Sequence, residues 1–156
     1  MVDELKNNGF KSKIKPWTRG VDKENLKPNL KFEYKNKKPI VLYVGRISKE
    51  KNVEEVCLLK DEYNVIIVGD GPERKTLEKK YNDVLFCGYK TGQELANYYS
   101  NADVFVFPSK SDTFGIVMIE AMSLGTPIAA YPVQGPIDIV DEETGVLNDN
   151  LRESVK

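Results

Sequence analysis

Four charged residues stand where a charge could do chemistry. Glu120 is the one charge in the run 114–124, where Ile116, Val117, Met118, Ile119, Ala121, Met122 and Leu124 leave no polar face. A helix apolar all round is expected to be buried, and a buried carboxylate without a partner is costly. Glu120 must therefore bond something. The partner is either a backbone N–H or basic side chain in a structural role, or a pair of ligand hydroxyls. On that one residue alone the structural role is the better reading. Asp112 lies eight positions earlier, in a loop that runs into the same helix. The unpaired N–H groups at a helix start, at the positive end of its dipole, suit an anion. Arg46 and Lys51 follow the first strand. Arg46 can fork onto phosphate oxygens and Lys51 adds a point charge. Taken alone, they read as two solvated cations on a lysine-rich turn.

These residues need a frame, and the apolar pattern supplies one. Residues 103–107 read as a buried strand stopped by Pro108 and Ser109, and Gly125-Thr126-Pro127 ends the helix 114–124 before a strand at 128–131. Upstream, strands are expected at 39–44, 63–68 and 83–86, with helices at 52–59, 73–81 and 91–100. Downstream come a helix over 134–140 with Pro136 in its first turn, a strand at 145–147 and a helix starting at 149. Strands apolar throughout, alternating with helices, predict a parallel sheet covered on both faces. The expected fold is α/β, a Rossmann-like doubly wound sheet with strand order 3-2-1-4-5-6. Ligands in such sheets bind beyond the carboxyl ends of the strands. That rule gathers the loops 45–46, 69–72, 87–90 and 109–115. Gly69-Asp70-Gly71-Pro72-Glu73 is not a dinucleotide fingerprint, because Arg74 stands where the third glycine belongs. It reads as a tight turn, with Asp70 capping the next helix.

Composition narrows the function. The chain has 156 residues, enough for one domain with a real core, and a net charge of −1, which gives no sign of a nucleic-acid binder. Residues 1–38 carry eleven Lys/Arg against five Asp/Glu, and the rest twelve against nineteen. The basic arm reads as a solvated, partly disordered lead-in; contact with an anionic lipid surface is the alternative. There is no histidine, so the commonest general base and metal ligand is absent. Cys57 and Cys87 show no CxxC spacing and read as free, partly buried thiols. No stretch has membrane-helix length and no signal peptide opens the chain, so a cytoplasmic protein is expected.

The stretch Ser109-Lys110-Ser111-Asp112-Thr113-Phe114-Gly115-Ile116-Val117, followed by Glu120-Ala121-Met122, resembles the signature of the retaining GT-B glycosyltransferases of family 4, the glycosyl transferases group 1. That family carries two acids at this spacing, usually both glutamate; Asp112 is a departure shared by a DTFG-type subset. Arg19-Gly20-Val21-Asp22 resembles the connector between the family's two halves, with Trp17 as a packing anchor. The flanks DTFGIVMIEAM and PVQGPIDIV are similar to mannosyl- and sulfoquinovosyl-transferases with lipid acceptors.

The resemblance implies the donor-binding half of a GT-B fold. Residues 1–38 would be a connector and lead-in, and 39–156 a nucleotide-sugar-binding domain with a truncated final helix. The N-terminal acceptor domain would be missing, leaving the isolated chain inactive. The implied reaction moves a sugar, with retention, from a nucleotide diphosphate sugar to an acceptor hydroxyl of a lipid or glycan. No metal or other cofactor takes part. Arg46 and Lys51 would grip the diphosphate, Asp112 would bond the transferred sugar and Glu120 the ribose hydroxyls. Gly45, Gly88, Tyr89, Phe114, Gly115, Ile116 and Val117 would contact the donor, with the segment 86–90 meeting the nucleobase through its backbone. The full enzyme could sit peripherally on the inner face of a membrane. The competing readings are a non-catalytic nucleotide-sugar-binding module and another GT-B enzyme such as a nucleotide-sugar epimerase.

Overall fold

The structure is a computed structural model that describes residues 2–14, 20–22, 24, 26–31, 37–112 and 114–156. Trp17, Arg19 and Thr113 lie outside the described residues. A six-residue helix, α1 (Val2–Asn7), comes first, in a stretch whose lack of periodicity predicts none. The body then runs β1 (Ile40–Val44), a 3-10 turn (Lys49–Lys51), α2 (Val53–Cys57), β2 (Asn64–Val68), α3 (Arg74–Lys80), β3 (Leu85–Gly88) and α4 (Gly92–Asn101). It continues with β4 (Val104–Phe107), α5 (Ile116–Ser123), β5 (Ile128–Ala130), α6 (Pro136–Ile139), β6 (Gly145–Leu147) and α7 (Leu151–Ser154). The six strands form one parallel sheet in the order β3-β2-β1-β4-β5-β6, as the sequence pattern predicts.

The strands read apolar throughout because both faces of the sheet are covered. Val41 and Tyr43 of β1, with Val65 and Ile67 of β2, pack against Val53 and Val56 of α2 and Leu77 of α3. Their neighbours Leu42, Val44, Ile66 and Val68 point the other way, onto Tyr99 of α4 and Met118 and Ala121 of α5. A period of two on a doubly covered sheet leaves no polar position.

Several boundaries differ from the sequence reading, each for a local reason. Asn52 adopts a left-handed conformation (φ 51), which asparagine tolerates, so it separates the 3-10 turn before it from α2, which is shorter than the expected helix 52–59. Cys87 and Gly88 belong to β3, where Val68 pairs with Gly88, and do not merely follow the strand. Cys57 is a free, buried thiol, and burial pushes it up to about 12. Asp70 does not cap α3. The N-cap is Glu73, and Asp70 instead accepts the Gly71 N–H (2.7 Å) and the Arg74 guanidinium (3.1 Å), which hold its carboxyl below the usual range.

The lead-in is anchored to the sheet domain by α4. Buried Asn97 accepts the N–H groups of Asn29 (2.8 Å) and Leu30 (3.2 Å) on its Oδ1 and donates from Nδ2 to Asn29 Oδ1 (3.1 Å). Asn101 Nδ2 donates to the Leu30 carbonyl (2.8 Å). Two asparagines one helical turn apart thus seat residues 29 and 30, where the sequence predicts a loose arm. Asn97→Ala should release this segment without unfolding the sheet. The Asn29 and Leu30 amides should exchange with solvent about tenfold faster, while the free energy of unfolding changes by no more than about 1 kcal/mol. Amide exchange read by NMR checks this, and unchanged exchange at both residues would show that Asn97 does not hold the lead-in.

Candidate functional site

The order of strands reverses between β1 and β4, so the loops leaving these neighbours diverge and open a crevice. The loops around it are stitched backbone to backbone. Gly45 N–H donates to the Val68 carbonyl (3.0 Å), Ile47 N–H to that of Asp70 (2.9 Å), and Gly69 N–H to that of Gly88 (2.8 Å). A Cβ on Gly69 would lie 1.9 Å from the Gly45 oxygen, so only glycine allows the first two loops to meet. Gly45 has a different reason to be glycine than the approach of a ligand alone. A Cβ there would strike the Tyr43 hydroxyl at 2.8 Å, and that hydroxyl donates to the Arg46 carbonyl (2.8 Å).

A cavity of about 580 Å³ lies at these strand ends. Gly45 and exposed Arg46 line it after β1, Gly69 and Asp70 after β2, and Tyr89 and Lys90 after β3. Val117 and Glu120 of α5 and Leu95 of α4 form another wall. Val21, Asp22 and Leu26 of the lead-in also line it, so a segment that sequence reading left on the surface contributes to the site. A second cavity, about 480 Å³, lies between α2 and α3 and includes Glu54, Glu55, Leu58 and Tyr81.

The structure therefore separates the residues that the sequence groups. Gly45, Arg46, Tyr89, Val117 and Glu120 share the cavity. Gly88, Phe114, Gly115 and Ile116 are not among its lining residues, and neither are Lys51 and Asp112. Those last two are instead partners: the Lys51 ammonium donates to an Asp112 carboxylate oxygen, with both side chains about a quarter exposed (23% and 27%). Asn52 Nδ2 donates to the Pro108 carbonyl (3.2 Å) beside them. The switch point is thus bridged by one ion pair and one amide, linking the loops after β1 and β4.

Helix α5 corrects an expectation. It spans Ile116–Ser123, not 114–124, and is only half-buried, with Met118 and Ala121 as its buried residues. An eight-residue helix packs one side on the sheet and turns Val117 and Glu120 to the cavity. Its polarity pattern could not show this, because the cavity wall is itself apolar. Among the described residues, Glu120 finds neither a backbone N–H nor a basic group. It accepts the hydroxyl of Tyr99 on α4, at 2.8 Å. Sequence reading missed Tyr99. Its spacing from Leu95 and Ala96 marks the inner face of α4, but nothing in the sequence says which helix faces Glu120. Burial first, then the Glu120 charge, holds the Tyr99 hydroxyl far above the usual tyrosine range, so it remains a donor.

Among the described residues no group of three His, Cys, Asp or Glu side chains could hold a metal ion, and no helix is long and apolar enough to cross a membrane.

Fold and site together define a doubly wound α/β domain with a cavity at the carboxyl ends of β1, β2 and β3. The chain belongs to the glycosyl transferases group 1 family, which it matches over residues 24–153. It is 36% identical over 145 residues to a sulfoquinovosyl transferase of Arabidopsis thaliana, covering 85% of this chain and 28% of the relative. It is 36% identical over 150 residues to a GDP-mannose-dependent alpha-mannosyltransferase of Corynebacterium glutamicum, covering 90% of this chain and 36% of the relative. The sucrose-phosphate synthase structure from Thermosynechococcus elongatus superposes with a TM-score of 0.66 at 34% identity, over 76% of this chain and 35% of that one. The chain thus spans about a third of the length of these relatives, and its sheet matches part of a GT-B glycosyltransferase.

Gly115, where α5 begins, tests the local build. It is left-handed (φ 63), and a Cβ there would meet Met118 Cε at 2.6 Å and Phe107 Cζ at 3.1 Å. Gly115→Ala should cost about 1–3 kcal/mol from backbone strain and overpacking together. Urea unfolding measures it, and wild-type stability would show that the start of α5 is not held in this conformation.

Proposed function

We propose that this chain is the donor-binding domain of a retaining glycosyltransferase, holding a nucleotide diphosphate sugar over the carboxyl ends of β1, β2 and β3. The observation that carries this reading is that Arg46 and Glu120 line one cavity. A guanidinium matches a diphosphate, and a carboxylate matches the two vicinal hydroxyls of a ribose. The segment from Tyr89 onward lies beside the nucleobase, and Leu95, Val117 and Leu26 supply apolar surface for it. In the transfer, the bond between the anomeric carbon and the β-phosphate oxygen breaks, and negative charge grows on the leaving diphosphate. Arg46 and Lys51 stabilise that charge without a metal, aided by the N-terminal end of α5. The acceptor hydroxyl, from a lipid or glycan, attacks from the face the diphosphate leaves, its proton passes to the departing β-phosphate oxygen, and the configuration is retained. Acceptor binding belongs to an N-terminal domain, because this chain covers only about a third of its relatives. Alone, it binds donor and transfers nothing.

The ion pair refines the role of Asp112. Lys51 shares its charge with this carboxylate, so a diphosphate at Lys51 competes with Asp112 for it. The donor sugar would then meet a carboxylate released from its lysine, ready to bond hydroxyls.

Calorimetry with UDP, GDP and ADP, with and without EDTA, tests the reading. At least one should bind, and EDTA should leave its affinity unchanged. Glu120→Gln should weaken it about ten- to a hundredfold, the worth of hydrogen bonds to a charged acceptor. Asp112→Asn should strengthen it about two- to fivefold by freeing Lys51, and Lys51→Met should weaken it. Binding that requires a divalent metal, or full affinity in a folded Glu120→Gln variant, would contradict the proposal.

A further inference from the structure

Tyr99 is held on three sides. It is fully buried, and its ring packs on Phe105 with centroids 5.7 Å apart at an angle of 52°. Its carbonyl accepts the buried Thr126 hydroxyl (2.6 Å) from the turn before β5, and the Ala102 N–H (3.1 Å) where α4 ends. With ring and backbone fixed, the hydroxyl has one place to go, Glu120 Oε2 at 2.8 Å. The carboxylate is the mobile partner, because the last torsion of a glutamate has a broad, roughly two-fold preference and does not set its own plane. A carboxylate offers about four lone-pair sites, and one hydrogen bond leaves the remainder for a ligand. Two vicinal hydroxyls can use them together only if the plane is fixed in advance. Otherwise the cost of fixing it falls on binding.

We propose that Tyr99 is a positioning residue whose hydroxyl sets the plane of the Glu120 carboxylate so that it accepts both ribose hydroxyls of the donor nucleotide. The proposal rests on the reading of Glu120 as the ribose acceptor. It adds that the distinction between ribo- and 2′-deoxyribonucleotides is made through a residue that does not touch the ligand. Tyr99 is not among the residues lining the cavity, so it acts through Glu120 alone. A merely structural tyrosine would satisfy the half-buried carboxylate and support the helix pair without affecting sugar selectivity.

The test compares affinities of UDP, GDP and ADP with those of their 2′-deoxy forms, in the chain as it stands and in Tyr99→Phe, Glu120→Gln and the double variant. The wild-type chain should prefer the ribonucleotide. Tyr99→Phe should reduce that preference about two- to tenfold, the scale of one hydrogen bond, and leave the 2′-deoxy affinity nearly unchanged. In the Glu120→Gln background the same change should add nothing, because the plane it sets is no longer that of a carboxylate. If Glu120→Gln loses the preference and Tyr99→Phe keeps it, Tyr99 is structural and this inference fails while the ribose reading stands. If the wild-type chain binds both forms equally, the ribose reading itself fails. Thermal melts accompany each variant. Should Tyr99→Phe not fold, replacing Tyr99 by 3-fluorotyrosine keeps the hydroxyl and makes it a stronger donor. The ribose preference should then rise, and an unchanged preference would overturn the proposal.

Discussion

Much of the site depends on one hydrogen bond between two helices. Glu120 is the only charge on α5, among residues suited to a core, and its carboxylate is tolerable there because the buried Tyr99 hydroxyl reaches it from α4. Without that donor, the half-buried charge would favour a different packing of α5. The same α4 presents Leu95 to the cavity and, through Asn97 and Asn101, seats the lead-in whose Val21 and Leu26 face it. One ten-residue helix therefore places a carboxylate, an apolar wall and a connecting segment around one space. Its own position follows from packing on the sheet through Tyr99, which is fully buried.

The opposite side of the site is built from backbone, not side chains. The loops after β1, β2 and β3 exchange N–H···O bonds, and glycine at 69 is required for their contact. A rigid, side-chain-poor floor lets a ligand approach main-chain groups, while the charges are carried on its rim. A further charge, outside the cavity lining, is already engaged. Lys51 pairs with Asp112 across the switch point, with Asn52 and Pro108 joined beside them. Such a pair contributes little to stability because it remains partly solvated. Under the proposed donor-binding reading its consequence is electrostatic: a diphosphate would recruit Lys51 in competition with the carboxylate, and donor binding and release of Asp112 would be linked.

The sequence made the sheet legible because a doubly covered parallel strand leaves an unbroken apolar run, and all six strands and their order follow from those runs and their alternation with helices. The members of the site were legible as types and loops, but their pairings were not. Arg46 and Glu120 line one cavity. Lys51 and Asp112 instead meet each other, a contact set by loop geometry across sixty-one positions of chain. The partner of Glu120 is an aromatic hydroxyl on another helix. The need for a donor follows from the burial argument, but its identity depends on helix packing, which leaves no local pattern. The half-exposed α5 shows the limit from the other side, since an apolar wall of a ligand cavity and an apolar core face read alike. The seating of residues 29 and 30 gave no signal: most of its bonds run through backbone N–H and C=O groups to Asn97 and Asn101, and backbone groups are the same in every sequence.

The most direct measurement of the central claim is an amide NMR titration of this chain with UDP, GDP and ADP. Binding at the strand-end cavity should shift the resonances of Gly45, Arg46, Gly69, Tyr89 and Glu120 together, with one affinity. Shifts centred on Glu54, Leu58 and Tyr81, which line the cavity between α2 and α3, or no shifts with any of the three, would contradict it.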